Sequence, residues 1–505
     1  MKVYERIPKE IVDFLSSKGG RSLLIKGSAG TGKTTFALQV LEELGTVKES
    51  FYLSTRVSDD ALYRHFPWLK DKEMRDRIID ASRVLLEAMY KEEDVILTGV
   101  EEEEGTLKAA KKFLSSIYEE EYVPTKVDRT RLSVLLERNR MPEVERIYDS
   151  IDHILPKKSL LVIDSVEGIT HKYGLEAEEL IYTIQKDLVE NSNTNILLVL
   201  EKKDAPNLEY LVDGVVSLSM YFVDGRLVRQ IKLEKLRATR ILQPNYLITL
   251  DGGRFRCIRP FDDGEKFSKW SPVGDKDGFY STGIPDLDAI LGGGLKKGSY
   301  NVIEIDENVT NSEYLAIVRP ILLNFISNNR GVMAVLSGGD HPENLKNDLC
   351  RFIDESLFRK WVRIVDYFSS ESSEDYILAM SGKSADEIRR MWLENINAIR
   401  GGGAGPIIDY TGFDTLEYLR GDTIAIKDLF SAVAQIKISK DVGIGVIKPG
   451  LKIAQEIMNM ADTHLRIIDI NRTPCIYGIK PKTIMHAITV DPEKGLPYIK
   501  LVPIV

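Results

Sequence analysis

Cysteine is scarce in this chain. Only Cys257, Cys350 and Cys475 occur in 505 residues, far apart and without a C-x-x-C pair. That excludes a disulfide framework and a cysteine-built zinc site, and it predicts a reducing, cytoplasmic setting. The six histidines are scattered, which argues against a histidine-built metal site as well. No apolar run reaches 18 residues, and Met1-Lys2-Val3-Tyr4-Glu5-Arg6 carries no apolar signal region, so neither a membrane span nor a secretory leader is expected. Positive charge is in deficit: 68 Lys and Arg against 77 Asp and Glu, a net −9. Such a balance argues against a surface that coats nucleic acid, while leaving local basic patches open. What remains is ordinary globular material, 43% hydrophobic and 29% charged, in a chain long enough for several domains with sizeable cores.

The most informative stretch is Gly27-Ser28-Ala29-Gly30-Thr31-Gly32-Lys33-Thr34-Thr35. It satisfies the phosphate-loop pattern G-x-x-x-x-G-K-[ST] in full. Before it, Ser22-Leu23-Leu24-Ile25-Lys26 reads as a buried strand; after it, residues 36–44 are apolar at helical spacing. A loop between a strand and a helix N-terminus gathers backbone N–H groups and the helix dipole on an anion. In that geometry Lys33 reaches the β- and γ-phosphates of ATP, and Thr34 holds Mg²⁺. A chance glycine-rich turn would not need strand, lysine, hydroxyl and helix together.

The first unit is expected to run over residues 1–260. Its further strands are Ser50-Phe51-Tyr52-Leu53-Ser54, then Leu160-Leu161-Val162-Ile163-Asp164-Ser165, then Asn195-Ile196-Leu197-Leu198-Val199-Leu200. Between them lies a helical, acidic stretch with the solvated run Glu101-Glu102-Glu103-Glu104. Residues 214–256 alternate apolar and polar, broken by Asp224-Gly225 and Asp251-Gly252-Gly253, and read as an antiparallel hairpin edge. Residues 261–280 are polar and glycine-containing, a linker. A second unit, 281–505, repeats the outline: strand Tyr300–Ile305, a helix, strand 331–337, the apolar strand Pro406-Ile407-Ile408-Asp409 ending in a carboxylate, and a hairpin tail over 483–505. The pattern predicts an α/β fold of two tandem domains, each a mostly parallel sheet flanked by helices with a hairpin edge. Asp164, at the end of four apolar residues, is the expected second half of a nucleotide site, binding Mg²⁺ through water.

These residues resemble the RecA superfamily, and within it the KaiC-like ATPases. The resemblance covers nearly the whole chain. Val162-Ile163-Asp164-Ser165-Val166 is similar to their second motif, the segment over 281–295 (S-T-G-I-P-x-L-D-x-x-L-G-G-G-L) to their domain-entry signature, and Glu234-Lys235-Leu236-Arg237-Ala238-Thr239 to their K-x-R-x-T segment on a late strand. The first unit, with Ser54-Thr55-Arg56-Val57-Ser58 and Phe66-Pro67-Trp68-Leu69, also resembles GvpD, the archaeal regulators of gas-vesicle gene expression. The KaiC-like resemblance implies two RecA-like domains and a homo-oligomeric ring, a hexamer being one form, with ATP between neighbouring first units. It also implies that Lys235 and Arg237 of one subunit touch the γ-phosphate held by the next, as an arginine finger does. Read without the family, they are a solvated basic strand edge.

Two departures limit the resemblance. KaiC-like ATPases carry two glutamates after the second strand; here Arg56 and Val57 stand there. Loss of a general base costs about 10²–10⁴ in rate, so hydrolysis of ATP to ADP and phosphate is expected to be slow, with Asp59, Asp60 and Glu201 as substitute carboxylates. Arg56 is free to meet a phosphate or an acidic neighbour. The second unit reads Ile305-Asp306-Glu307-Asn308-Val309-Thr310-Asn311-Ser312 where its loop should be. Losing the lysine and part of the amide nest removes about 4–6 kcal/mol of charge-assisted hydrogen bonding. A micromolar site of about −8 kcal/mol then becomes millimolar or weaker. The second unit is expected to be a pseudo-ATPase, a scaffold or partner-binding domain, and Lys480 and Lys482 echo Lys235 and Arg237 without a phosphate to meet.

The function expected is an ATP-binding regulatory ATPase with one live site per chain and a protein partner. A recombinase-like DNA-dependent ATPase and a non-hydrolysing, ATP-dependent transcriptional regulator are the alternatives, with self-phosphorylation a minor one.

Overall fold

The apolar run 22–26 forms the central strand of a nine-stranded sheet. β1 (Ser22–Lys26) is buried at every position and pairs in parallel with a strand on each side. The computed structural model describes residues 6–45, 49–84, 126–136, 141–262, 264, 266–401 and 405–505. The acidic run 101–104 lies outside the described residues. By contact the chain divides into two units. One takes in the chain to Phe222, Val228–Ile258 and Val505; the other takes in Val223–Leu227 and Arg259–Ile504. Among the described residues no helix is long and apolar enough to cross a membrane.

The first sheet also contains β2 (Ser50–Ser54), β3 (Ile78–Asp80), β4 (Ser159–Asp164), β5 (Thr194–Val199), β6 (Gly214–Val223), β7 (Arg226–Leu236), β8 (Asn245–Thr249) and β9 (Arg256–Ile258). Their order is β3-β2-β4-β5-β1-β6-β7-β8-β9. The strands from β3 to β6 run parallel, and β7 to β9 form the antiparallel edge. Side chains on a strand alternate between faces, and the sequence fills both faces with apolar groups. Leu23, Ile25, Val162, Leu197 and Val199 join one core with Phe36, Val40 and Leu41. Leu24, Leu161, Ile163, Ile196 and Leu198 join another with Ile147, Tyr148 and Leu180. Continuous apolar runs of this kind belong to parallel strands covered by helices on both sides.

Helix α1 (Lys9–Ser16) packs Ile11, Phe14 and Leu15 onto the first core. Helix α2 (Lys33–Leu44) follows the loop after β1. Its last turn is held by Arg77, whose Nη1 donates to Leu41 O at 3.0 Å and Gly45 O at 3.3 Å. Arg77 is buried, and a cation there meets the negative end of the helix dipole.

The second unit carries β10 (Phe279–Tyr280), β11 (Leu295–Lys296), β12 (Tyr300–Ile305), β13 (Gly331–Val335), β14 (Val362–Asp366), β15 (Ile377–Ala379), β16 (Ile407–Gly412), β17 (Val442–Ile447), β18 (Thr463–Ile470), β19 (Thr473–Lys480), β20 (His486–Val490) and β21 (Ile499–Pro503). Its large sheet has the order β15-β14-β13-β16-β17-β12-β18-β19-β20-β21. With β12 matched to β1, the run from β14 to β19 repeats the run from β3 to β7, and β20–β21 form the expected terminal hairpin. Residues 266–280 pack within this unit: Ser268 N–H donates to Leu496 O, and Trp270 stacks on Tyr498 with centroids 5.1 Å apart.

One strand differs from its sequence reading. β16 does not end at Asp409 but runs on through Tyr410-Thr411-Gly412. Asp409 pairs across to Gly443 and, through it, Tyr300, the first residue of β12. It therefore sits at the opposite end of the strand from the loop and is no counterpart of Asp164. The β-branched and aromatic residues that follow it extend the strand, and its side chain accepts from the Thr411 hydroxyl at 3.2 Å. Burial pushes the Asp409 carboxyl up to about 6, against the Thr411 hydrogen bond. The folded chain thus holds a proton that the unfolded chain has released, and stability is lost as pH rises from about 4 through 6. Asp409→Asn should melt above the parent at about pH 7.5, with the advantage shrinking as the pH falls below 5; pH-resolved thermal unfolding of both chains checks it.

Candidate functional site

The loop after β1 is shaped by two glycines. Gly27 takes φ +151°, and a Cβ there would lie 2.3 Å from Leu218 O of neighbouring β6. Gly32 takes φ +100° just before the helix, a conformation that favours glycine. With these two turns the loop curls over the start of α2. Lys33 folds back on it, its Nζ donating to Gly27 O at 2.6 Å and Ser28 O at 2.9 Å. The Thr31 hydroxyl closes the loop on Ser28 O at 2.9 Å. Residues 27–35 thus form a closed loop whose ammonium rests on two of its own carbonyls; the backbone N–H groups of such a loop, with its lysine, are a donor set that suits a polyphosphate.

Asp164 ends β4 beside that cradle. Its Oδ2 accepts from the Thr34 hydroxyl at 2.6 Å and the Tyr52 hydroxyl at 2.7 Å. Burial raises its affinity for a proton, while Thr34, Tyr52 and Lys33 oppose the rise. Burial lowers the Lys33 ammonium, with Asp164, Glu201 and Glu167 pulling it back up. Three carboxylates around one lysine leave surplus negative charge, which a divalent cation beside Thr34 and Asp164 would balance.

Among the substitute carboxylates, Glu201 is the one brought to this place. Arg56 pairs with it at 2.5 Å, the Ser165 hydroxyl donates to it at 3.3 Å, and its backbone N–H donates to Glu167 at 2.9 Å. Arg56 thus meets an acidic neighbour. Asp59 and Asp60 instead open the short helix Asp59–His65, and Asp59 faces Arg83 at 4.0 Å.

Lys235 and Arg237 do not approach the loop within the chain. Lys235 Nζ donates to Glu209 O at 2.8 Å and Val212 O at 2.6 Å. Arg237 lies one residue past the end of β7 and pairs with Asp213 at 3.2 Å. Asp213 also accepts Ser22 N–H, so Arg237 stands near the start of β1, whereas the loop follows its end. Arg237 retains half its side-chain exposure.

Three residues in this region escaped sequence reasoning: Tyr52 on Asp164, Glu167 on the backbone of Glu201, and Arg229. Arg229 Nη1 donates to Gly30 O at 2.5 Å. Each acts across a gap of chain that no local pattern spans; only the alternation of β7 put Arg229 on a definable face.

The second unit solves the same strand-to-helix turn differently. Its long helix Asn311–Ser327 opens on a capping box. Thr310 N–H donates to Glu313 Oε2 at 2.7 Å, and the Thr310 hydroxyl to the same oxygen at 2.9 Å. A carboxylate of the chain itself is seated at the helix N-terminus. Aligning the first helical residues, Lys33 and Asn311, places Ile303 opposite Ile25. At that level the ladder leads through Val446 to Gly412, which offers no carboxylate where the first unit has Asp164. Lys480 is turned to Met458 O.

Two family models match the chain. The GvpD gas vesicle protein P-loop domain family matches residues 11–234. The chain is a GvpD-like P-loop protein. The GvpD basic region 2 family matches residues 269–505 of this GvpD-like chain. Protein GvpD2 of Halobacterium salinarum is 26% identical over 519 residues, covering 99% of this chain and 96% of its own. Protein GvpD1 of the same organism is 27% identical over 398 residues, 75% of this chain and 66% of its own.

The close approach at Gly27 gives a direct test. Gly27→Ala must push the loop off Leu218 O, at a cost of about 1–3 kcal/mol. Denaturant unfolding should show that loss, and Ala29→Gly, in the same loop, should not reproduce it.

Proposed function

We propose that this protein is an ATP-binding regulator of gas-vesicle formation with one nucleotide site per chain, in the first unit. The observation that carries the reading is the contrast between two like-placed helix starts. One is open, with Lys33, Thr34 and Asp164 around a glycine cradle; the other is capped by Glu313. In this reading residues 27–35 wrap the phosphates of ATP, Lys33 contacts the β- and γ-phosphates, and Mg²⁺ sits between Thr34 and, through water, Asp164. The gas-vesicle assignment is supported by the matching family, described as GvpD gas vesicle protein, and by the GvpD relatives; the regulatory role is inferred from the resemblance to GvpD regulators.

As a KaiC-like member of the RecA superfamily, the chain is proposed to assemble into a homo-oligomeric ring with ATP at the subunit boundary. Arg237, exposed and held by Asp213 and Tyr210 O, is then the residue proposed to reach a neighbour's γ-phosphate on release of those contacts; Lys235, turned onto two carbonyls, must release them to join it. A non-hydrolysing switch is the second reading, and the Arg56–Glu201 ion pair favours it, because it occupies the one substitute carboxylate brought to this region.

Isothermal titration of the full chain with ATP and Mg²⁺ should give close to one site per chain; two equivalent sites would defeat the reading. Lys33→Ala removes charge-assisted contacts of about 1.5–3 kcal/mol, a loss of about 10- to 100-fold in affinity. Sizing with and without Mg–ATP, alongside phosphate release, tests the ring: Arg237→Ala should bind ATP as the parent does and slow whatever turnover the parent has. Normal turnover in that variant removes Arg237 from the reaction.

A further inference from the structure

Tyr52 carries a hydroxyl into an apolar place. It lies on β2 with 1% of its surface exposed, in the same core as Phe36, Val40 and Val162. A phenylalanine would fill that core as well, so the hydroxyl needs a partner and a reason. The partner is Asp164, whose Oδ2 accepts from it at 2.7 Å. Strand register explains the contact. Tyr52 stands beside Val162 on β4, and Ser54 beside Asp164. Residues two apart share a face, so the Tyr52 side chain reaches along β4 by two residues, roughly 6.6 Å. A serine or threonine at position 52 is too short for that span. The backbone is held too: Tyr52 N–H donates to Arg77 O at 2.8 Å, and Arg77 grips the last turn of α2.

The second unit supplies an internal comparison. The level of Asp164 is occupied there by Gly412, two residues beyond Tyr410. Tyr410 pairs with Ala334 on β13, just as Val162 pairs with Tyr52 on β2. Ala334 is therefore the counterpart of Tyr52, and it is fully buried. The unit without the carboxylate is also without the hydroxyl. A tyrosine kept only to fill the sheet face would have no reason to vary with the carboxylate.

The oxygen that is used decides the role. The Thr34 hydroxyl, at 2.6 Å, takes the same Oδ2 as Tyr52. Two donors on one oxygen fix the rotation of the carboxyl group and leave Oδ1 for a further ligand. A phenol ionises near pH 10, at about the model value, and stays a donor through the neutral range. Mg²⁺ keeps several of its waters and is held through one or two carboxylates, and such carboxylates are in turn oriented by hydrogen bonds. We infer that Tyr52 is a positioning residue for Mg²⁺: it fixes Asp164 so that Oδ2 stays with the two hydroxyls and Oδ1 serves a metal-bound water. This inference rests on the nucleotide reading above and adds to it a residue that no phosphate-loop motif contains.

A hydroxyl that served packing alone would not touch the metal response, and the test turns on that difference. The full chain is titrated with ATP in EDTA and across a series of Mg²⁺ concentrations, as the parent and as Tyr52→Phe, which keeps the ring in the core. Tyr52→Phe should need about tenfold more Mg²⁺ to reach half the gain in ATP affinity, and its affinity in EDTA should match the parent's. Thermal unfolding checks that the variant is folded. An unchanged Mg²⁺ requirement overturns the inference, and so does an equal loss in EDTA, which marks general damage to the loop. Asp164→Asn supplies a second background, since removing donor and acceptor together spares the fold the cost of an unmet partner. It should blunt the Mg²⁺ gain by itself, and adding Tyr52→Phe should cost nothing further; a further loss in the double variant overturns the assignment. A parent that binds no ATP in either condition defeats the nucleotide reading and this inference together, whereas a parent that binds ATP and gains nothing from Mg²⁺ defeats this inference alone.

Discussion

The hydrogen bonds from Thr34 and Tyr52 to one oxygen of Asp164 are the join on which the first unit depends. They bring the first turn of α2, the end of β4 and the middle of β2 to a single carboxylate. Burial would otherwise make that carboxylate a poor resident of the sheet end. Two hydroxyls and the nearby lysine make it tolerable, and they also fix where the helix begins. The loop between β1 and α2 is then short of freedom: its first glycine is pressed against Leu218 O and its lysine is turned inward.

The second unit shows what happens when that join is absent. It has the same strand order through its parallel core, and its helix starts at the corresponding place. Yet Gly412 stands at the level of Asp164, and the loop glycines are replaced. The amide of the N-cap Thr310 still needs an acceptor, and Glu313 provides it. Charge at the strand end is inverted as well. Lys26, with Glu209 and Glu234 at 2.6 and 2.8 Å, gives way to Glu304, with His464 at 2.8 Å. Architecture has been kept while the chemistry at the turn has been replaced, as expected when folds outlast sites.

Much of this was legible in the sequence because it is local or periodic. The ranges of β1, β2 and β12 follow from apolar runs of strand length, and the loop from its glycines and lysine. The hairpin edges follow from alternation broken by Asp-Gly. What failed to show is long-range. Asp409 looked like a strand-end carboxylate because the apolar run stops there; nothing in four residues reveals that Tyr410 and Thr411 carry the strand onward. Arg237 looked like a strand residue beside Lys235, and the turn at Ala238, with φ +59°, ends the strand first. The contacts of Tyr52, Arg229 and Glu167 join residues far apart in the chain, and pairings of that kind are set by sheet order, which no short pattern encodes.

The cap at the second helix has one more consequence. Glu313 is covalently part of the chain that it caps, so its local concentration at the Thr310 amide is set by a three-residue tether and not by the solution around it. A dissolved anion must compete with a ligand that never diffuses away. The turn of the second unit thus carries its own acceptor, supplied by the polypeptide itself.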